Sequence, residues 1–289
     1  MKKLIKAISV FRFIAGAGIG VAGTCAQMYI IETAHPSIRG TLTGIADFLV
    51  GIGILIVLGL GVTGVGWRGA AGIIGILTCV PLFVGIYLCP DSPRWLVTKG
   101  RDERAADSLR KLRGSEYNID EELTTIQEAN AKLSGNKKTM FQQFMLLKLK
   151  KVYKPFLLVC GVYTLNQLSG NYIIYSYTVV IFQAAGVGLK PIVSAVLVGL
   201  ARLTGSIIGL VVVEKAGRRV SLLVGGTSGA ITFSALGAWF WLLDRNPDSA
   251  KSMGWLPLLS LLTFSIVFAA STSPIPFLLA GELLPLSFR

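Results

Sequence analysis

The sequence is poor in the side chains from which catalytic and metal sites are built. Only 15% of its 289 residues are charged, and it holds one histidine, His35, and four dispersed cysteines. A soluble domain carries nearer to about a quarter charged residues. No run of Asp, Glu, His or Cys has metal-ligand spacing. We therefore expect no metal and no cofactor, and the composition argues against an enzyme.

Apolar residues are abundant instead, at 53% of the chain, with a mean hydropathy of +0.65. Stretches of about twenty apolar residues can cross a hydrocarbon layer roughly 30 Å thick. Breaks marked by charge, glycine or proline separate seven such stretches, at 10–33, 41–61, 69–89, 156–183, 192–213, 220–243 and 256–281. The sequence thus predicts an all-α polytopic protein that is integral to the lipid bilayer.

The net charge of +13 follows from membrane topology rather than from a nucleic-acid partner. The segment 90–155 holds 14 Lys and Arg, which places it on the cytosolic side. Short amphipathic helices are predicted in it around 101–113, 120–133 and 139–150. We divide the chain into three spans at 1–90, a cytosolic linker at 91–154 and four spans at 155–289.

The amino terminus conflicts with this orientation. The linker places the start of the chain outside, whereas Lys2, Lys3 and Lys6 favour the cytosol. We interpret the conflict as a sign that the sequence begins partway through a longer protein.

A repeated motif indicates a period of six spans. The first span ends in Glu32, followed by serine five residues later and by Arg39, and the last span ends with the same spacing from Glu282 to Arg289. A proline lies between the two charges in both copies. Six-span units are typical of transporters built from two halves, which bind substrate near mid-membrane.

Several polar groups lie inside the predicted spans, where ionisable side chains cost about 2.5–3.5 kcal/mol. Arg202 is near the middle of its span and faces either a cavity or lipid. Asp47 lies two turns inside its span and is either an interfacial carboxylate reached by water or part of the substrate pathway. The polar break from Asn166 to Asn171 suits a polyol, because amides donate and accept hydrogen bonds. Its alternative role is helix–helix contact. A second break, at 273–276, contains Pro274 and Pro276.

Six motifs together resemble the sugar porter family of the major facilitator superfamily over nearly the whole chain. They are Pro90-Asp91-Ser92-Pro93-Arg94-Trp95, Asn166-Gln167-Leu168-Ser169-Gly170, Glu214-Lys215-Ala216-Gly217-Arg218-Arg219, Ser273-Pro274-Ile275-Pro276-Phe277 and the two Glu/Arg motifs. Within the family, Gly-Trp-Leu-Pro-Leu at 254–258 is similar to insect facilitated trehalose transporter-like proteins. The resemblance implies a partial major facilitator fold, spans four to ten of twelve.

The resemblance also implies site residues. The implied substrate-binding set is Asn166, Gln167, Asn171, Tyr172, Asp47, Phe277 and Arg202, with hinges at Pro274, Pro276 and Gly170. A cytosolic gate is implied for Glu32, Arg39, Asp91, Arg94, Glu214, Arg218, Arg219, Glu282 and Arg289. The sequence departs from the family's sugar-contacting residues at Asp47, where glutamine is usual, and at Tyr172, Phe277 and Arg202.

The resulting hypothesis is facilitated diffusion of a sugar, a hexose or trehalose, by alternating access in the full-length parent. The alternatives are a proton-coupled symporter, based on Asp47, and a non-transporting sugar sensor or degenerate fragment. We expect a plasma-membrane location, a small-molecule sugar as ligand and no obligate protein partner.

Overall fold

A computed structural model describes residues 2–34, 39–114, 117–134, 150–186 and 188–283. All regular structure in these residues is helical. The helices are α1 Lys2–Thr33, α2 Arg39–Val62, α3 Trp67–Leu88, α4 Pro93–Thr98, α5 Asp102–Arg113, α6 Ile119–Ser134, α7 Lys150–Leu168, α8 Asn171–Ala185, α9 Pro191–Ala216, α10 Arg218–Arg245, α11 Pro247–Ser252, α12 Leu256–Ser271 and α13 Ile275–Leu283. An all-helical architecture is expected in hydrocarbon, where each backbone polar group must be satisfied within its own segment.

Six stretches of the described chain are long and apolar enough to span a membrane. They are Ser9–Thr33, Gly44–Val62, Trp67–Leu88, Pro191–Val213, Arg218–Arg245 and Leu256–Ala280. These stretches confirm six of the seven predicted spans. The remaining prediction, 156–183, corresponds to two shorter helices, α7 and α8.

The break between α7 and α8 lies inside the polar segment that the sequence identifies. Gly170 has a φ of 77°, in the left-handed region that side chains with a Cβ avoid. A second break separates α12 from α13, where Pro274 and Pro276 are both buried. Proline lacks a backbone donor and cannot continue the ladder of helical hydrogen bonds. The hinge role of Gly170, Pro274 and Pro276 stays a prediction.

The linker contains α4, α5 and α6. Two of its predicted helices are confirmed as α5 and α6, and the third, at 139–150, lies almost entirely outside the described residues. Helix α4 is a structure that the sequence analysis missed. The Ser92 hydroxyl accepts a hydrogen bond of 3.4 Å from the Trp95 backbone N–H, and Pro93 occupies the first turn. Serine before proline is a recognised helix-start signal.

The described residues fall in two compact units, which we describe separately. The first unit holds those within 1–42 and 89–146, and the second those within 43–88 and 147–284. The three-part division at 90 and 154 follows the spans and stays a prediction. In the second unit α8, α9, α10 and α12 surround a core of Ile174, Phe182, Val198, Leu236, Leu261, Phe264 and Phe268.

Glycines bring α12 close to α9. A methyl group placed on Gly205 would collide with the backbone of Ile266, and one on Gly209 would lie 3.1 Å from the backbone of Ala270. Small residues at four-residue spacing permit such close approach between membrane helices. The glycine pair therefore sets the distance between these two helices.

We predict that Gly205→Ala destabilises the second unit. The new methyl group meets backbone rather than a flexible side chain, and overpacking of this kind costs about 1–3 kcal/mol. Unfolding in mixed detergent micelles, followed by circular dichroism, gives the free energy of unfolding. The control is Gly226→Ala, where a methyl group would have no neighbour within 4 Å. Equal stability of both variants would contradict the packing argument.

Candidate functional site: a buried ion pair and a cavity

A charged pair lies at the centre of the candidate site in the second unit. The Arg202 Nη2 atom is 3.2 Å from Asp47 Oδ1, so the guanidinium of α9 donates to the carboxylate of α2. Two hydroxyls also donate to Asp47, from Ser206 at 3.1 Å and from Ser273 at 2.7 Å. Residues 155 to 226 positions apart in sequence thus converge on one carboxylate.

The pair is withdrawn from solvent to different degrees at its two ends. The side chain of Arg202 is 4% exposed and that of Asp47 is 16% exposed. The guanidinium lies over the Tyr175 ring, with Cζ 5.1 Å from the ring centroid. Its Nε and Nη1 atoms are buried and have no hydrogen-bond partner among the described residues. The carboxylate is therefore well satisfied, whereas the guanidinium is not.

A cavity of about 440 Å³ lies between α7, α10 and α12. Its lining is largely apolar and includes Phe233, Phe264 and the glycines of α10, with polar groups from Asn166, Ser169 and Thr272. Asn166 Nδ2 donates to the Thr272 carbonyl at 3.3 Å and so joins α7 to the break after α12. A concave apolar site with a few placed polar groups is typical of small-molecule pockets.

The other predicted substrate residues have different surroundings. Asn171 is 5% exposed, and its Oδ1 has no partner among the described residues. The Phe277 ring packs edge-on against Tyr163, with 5.5 Å between the centroids. Tyr172 is 62% exposed and Gln167 is also exposed, and neither lines the cavity. The structure thus joins Asp47 to Arg202 and brings Asn166 to the cavity.

Sequence reasoning did not assign Ser206 or Tyr175 to the site. Ser206 lies four residues after Arg202, on the same face of α9, and this spacing is a usable signal. The approach of Tyr175 to Arg202 depends on how α8 packs against α9, which no local pattern reveals.

In the first unit, the last turn of α1 binds the linker. Ser92 Oγ donates to Glu32 Oε2 at 2.5 Å, and the Tyr29 hydroxyl donates to the Pro90 carbonyl at 2.8 Å. Arg113 Nη1 donates to the Thr33 carbonyl at 3.0 Å, at the carboxyl end of α1, where backbone carbonyls lack partners within the helix. Glu32, predicted as a gate residue, therefore has the hydroxyl of the Pro-Asp-Ser-Pro motif as a partner.

Arg113 uses all three of its nitrogens. Besides the Thr33 carbonyl, it binds both oxygens of Glu122, through Nε at 3.0 Å and Nη2 at 2.7 Å. A bidentate arginine–carboxylate pair is among the strongest hydrogen-bonded pairs in proteins. The hydrogen bonds to Glu122 raise the pKa of the Arg113 guanidinium above its ordinary value. The charge at Arg113 is therefore permanent, and it links α1, α5 and α6.

The remaining members of the predicted cytosolic gate stay a prediction. Asp91 and Arg219 are exposed, and Arg94 and Arg218 are half-buried. The side chains of Arg39, Glu214 and Glu282, together with residue Arg289, lie outside the part of the chain that the structure describes.

Solved structures share this arrangement of helices. The partially occluded inward-open xylose transporter XylE from E. coli matches with a TM-score of 0.71 and 25% identity over 96% of this chain and 58% of its own. The proton:xylose symporter XylE bound to 6-bromo-6-deoxy-D-glucose matches with a TM-score of 0.73 and 26% identity, over 96% of this chain and 57% of its own. The described helices thus form part of a major facilitator fold.

Sequence relatives agree with this fold. The family model for "Sugar (and other) transporter" matches residues 2–289, and the chain belongs to that family. The facilitated trehalose transporter Tret1 of Drosophila willistoni is 34% identical over 96% of this chain and 31% of its own length. Trehalose transporter 1 of Drosophila melanogaster is 33% identical over 96% of this chain and 32% of its own. The chain therefore spans about a third of the length of these relatives.

We predict that the two charges of the ion pair stabilise the fold only together. Asp47→Asn leaves a guanidinium buried without its counter-charge, and loss of one partner of a buried pair costs about 3–5 kcal/mol. The double variant Asp47→Asn/Arg202→Gln removes both charges and should lose less than Asp47→Asn alone. Unfolding free energies of the four members of this double-mutant cycle test the coupling, and additive losses would contradict it.

We also predict that Arg113→Lys loosens the linker helices. Lysine is a point charge and cannot bind Glu122 bidentately while reaching the Thr33 carbonyl. Hydrogen–deuterium exchange of peptides within 102–134 should be about tenfold faster, corresponding to roughly 1.4 kcal/mol. The control is Arg110→Lys, whose pair with Asp107 is 3.9 Å long and exposed at both ends. Unchanged exchange in Arg113→Lys would refute the linking role.

Proposed function

We propose that the protein containing this chain carries a neutral sugar across the membrane by facilitated diffusion, and that it is not an enzyme. The observation that carries the proposal is the cavity between membrane helices, where polar groups of Asn166, Ser169 and Thr272 face an otherwise apolar lining. Such a lining suits a polyol, whose hydroxyls pair with amides and whose C–H faces contact aromatic rings. Trehalose is the substrate in the relatives' names, and a hexose is the other candidate, from the sequence resemblance to sugar porters.

The helix breaks support alternating access. Both breaks, at 169–170 and at 272–274, border residues of the cavity. Discontinuous helices at mid-membrane are where transporters bind substrate and change shape. Bending at Gly170 and at Pro274 would open the cavity without unfolding α7, α10 or α12.

Substrate binding is proposed for Asn166, Gln167, Asn171, Tyr172, Asp47, Phe277 and Arg202. Asn166 has the strongest structural support, since it lines the cavity and spans the two breaks through its bond to Thr272. Gln167 is its sequence neighbour and requires a rotation of α7 to reach the same cavity, as rocking of one half against the other would provide.

The proposed location is the plasma membrane, with linker 91–154 in the cytosol. The gate residues would close the cytosolic end through charge pairs that form in one state and separate in the other. The bond of Ser92 to Glu32 and the bond of Arg113 to the Thr33 carbonyl support this role, because they fix the end of α1 from which Glu32 projects.

Uptake of radiolabelled trehalose and D-glucose into proteoliposomes tests the proposal. We predict saturable uptake that equilibrates without accumulation. The rate of uptake should fall about tenfold in Asn166→Ala, which is equivalent to roughly 1.4 kcal/mol of lost hydrogen bonding. Gln183→Ala provides a matched control, because Gln183 is an exposed amide on α8 away from the cavity.

Three outcomes separate the possibilities. Absence of uptake for every sugar would refute transport. Uptake that is unchanged in Asn166→Ala would refute the cavity as the binding site while leaving transport intact. Accumulation that is driven by an imposed pH gradient, and that Asp47→Asn loses while its equilibrating uptake persists, would replace facilitated diffusion by proton-coupled symport.

A further inference from the structure

The ion pair joins helices from opposite sides of the linker. Asp47 belongs to α2, which precedes residues 91–154, whereas Arg202 and Ser273 follow them. Apolar contacts between α2 and α9 accompany the pair, such as those of Leu55 and Leu58 near Gly199. The polar cluster is therefore a hydrogen-bonded attachment of α2 to α9 beside these apolar contacts.

Hydrogen bonding within the cluster is unequal. The Asp47 carboxylate accepts from three donors, on Arg202, Ser206 and Ser273. The guanidinium, with five N–H groups, gives Asp47 one hydrogen bond, and its Nε and Nη1 are buried without a hydrogen-bond partner among the described residues. A buried donor without an acceptor is costly, so this closed arrangement favours any partner that brings acceptor oxygens.

We propose that the Asp47–Arg202 pair is a latch, which holds α2 against α9. A neutral polyol opens this latch by supplying hydrogen-bond acceptors to the guanidinium. Opening by a polyol rests on the proposed function, whereas the holding of α2 does not. Sugar hydroxyl oxygens are acceptors that add no charge, so the net charge of the opened site stays balanced. An anionic ligand would add an uncompensated negative charge beside Asp47 in a medium of low dielectric.

The geometry also explains why the latch stays closed without ligand. Separating Asp47 from Arg202 leaves two charges in surroundings that solvate them poorly, and this penalty is relieved only by new partners. The hydroxyls of Ser206 and Ser273 hold the carboxylate in place from α9 and from the α12–α13 break. Movement at that break thus acts directly on the latch.

Distances between spin labels test the latch. With the four cysteines replaced by serine, labels at Thr63 and Lys190 report one end of the α2–α9 contact, where Gly61 faces Ile192. Labels at Ile45 and Val211, both exposed, report the other end, where Gly44 faces Leu210. Pulsed and continuous-wave electron paramagnetic resonance then give the fraction of molecules in which the helices have separated.

The variant that removes the latch is Asp47→Asn/Arg202→Gln, which leaves no unpaired charge. We expect its separated fraction to rise about fivefold at one end of the contact or at both. Ser273→Ala removes one hydrogen bond to Asp47 and should raise the separated fraction by a smaller amount. If the double variant does not fold, this single variant tests whether the cluster holds α2. The matched control is Trp239→Phe, which removes a buried interhelical bond to the Ala250 carbonyl elsewhere in the unit and should leave the distances unchanged.

Ligand operation is tested with D-glucose and trehalose as probes and L-glucose as the control. Either probe should raise the separated fraction of the parent chain and have little further effect on the double variant. Distances that are identical in the parent, the double variant and Ser273→Ala would overturn the latch. A separated fraction that rises in the variants but does not change with either sugar would overturn opening of the latch by ligand. Failure of uptake alone would count against the proposed function and leave the result on the variants standing.

Discussion

A positive charge buried among apolar helices must be neutralised where it lies, and much of the second unit is arranged around this requirement. Arg202 is too far inside α9 to extend to water, so its counter-charge comes from α2. Two hydroxyls then fix that carboxylate from different elements. Because a charge in hydrocarbon must be compensated, the partners of this single side chain connect α2, α9 and the break before α13.

The unit combines a fixed part with parts that can bend. Gly205 and Gly209 bring the backbones of α9 and α12 into direct contact, and the aromatic core between α8, α10 and α12 fills the remaining space. The breaks beside Gly170 and Pro274 interrupt helices at the margin of this core. Because packed helices move as whole bodies, these breaks are where the predicted hinges would bend.

Sequence patterns predicted what depends on local composition. The length of the apolar stretches predicted six of the spans, and the polar segment at 166–171 located the first break. Arg202 was identified from its depth, and Asp47 as an ionisable residue two turns inside its span. Their pairing could not be predicted, because it brings together residues 155 positions apart and depends on how two helices cross. For the same reason, the sequence does not predict the hydrogen bonds of Arg113 to Glu122 and to the Thr33 carbonyl. Helix α4 was missed although its Ser-Pro start signal is local.

The contacts at the end of α1 determine how that helix can move. Within little more than one helical turn, Tyr29, Glu32 and Thr33 bind Pro90 and two points of the linker. One contact would let a helix spin about its axis, whereas three contacts at different angles fix both its rotation and its translation. A tilt of α1 would therefore be transmitted to the linker helices through these three hydrogen bonds.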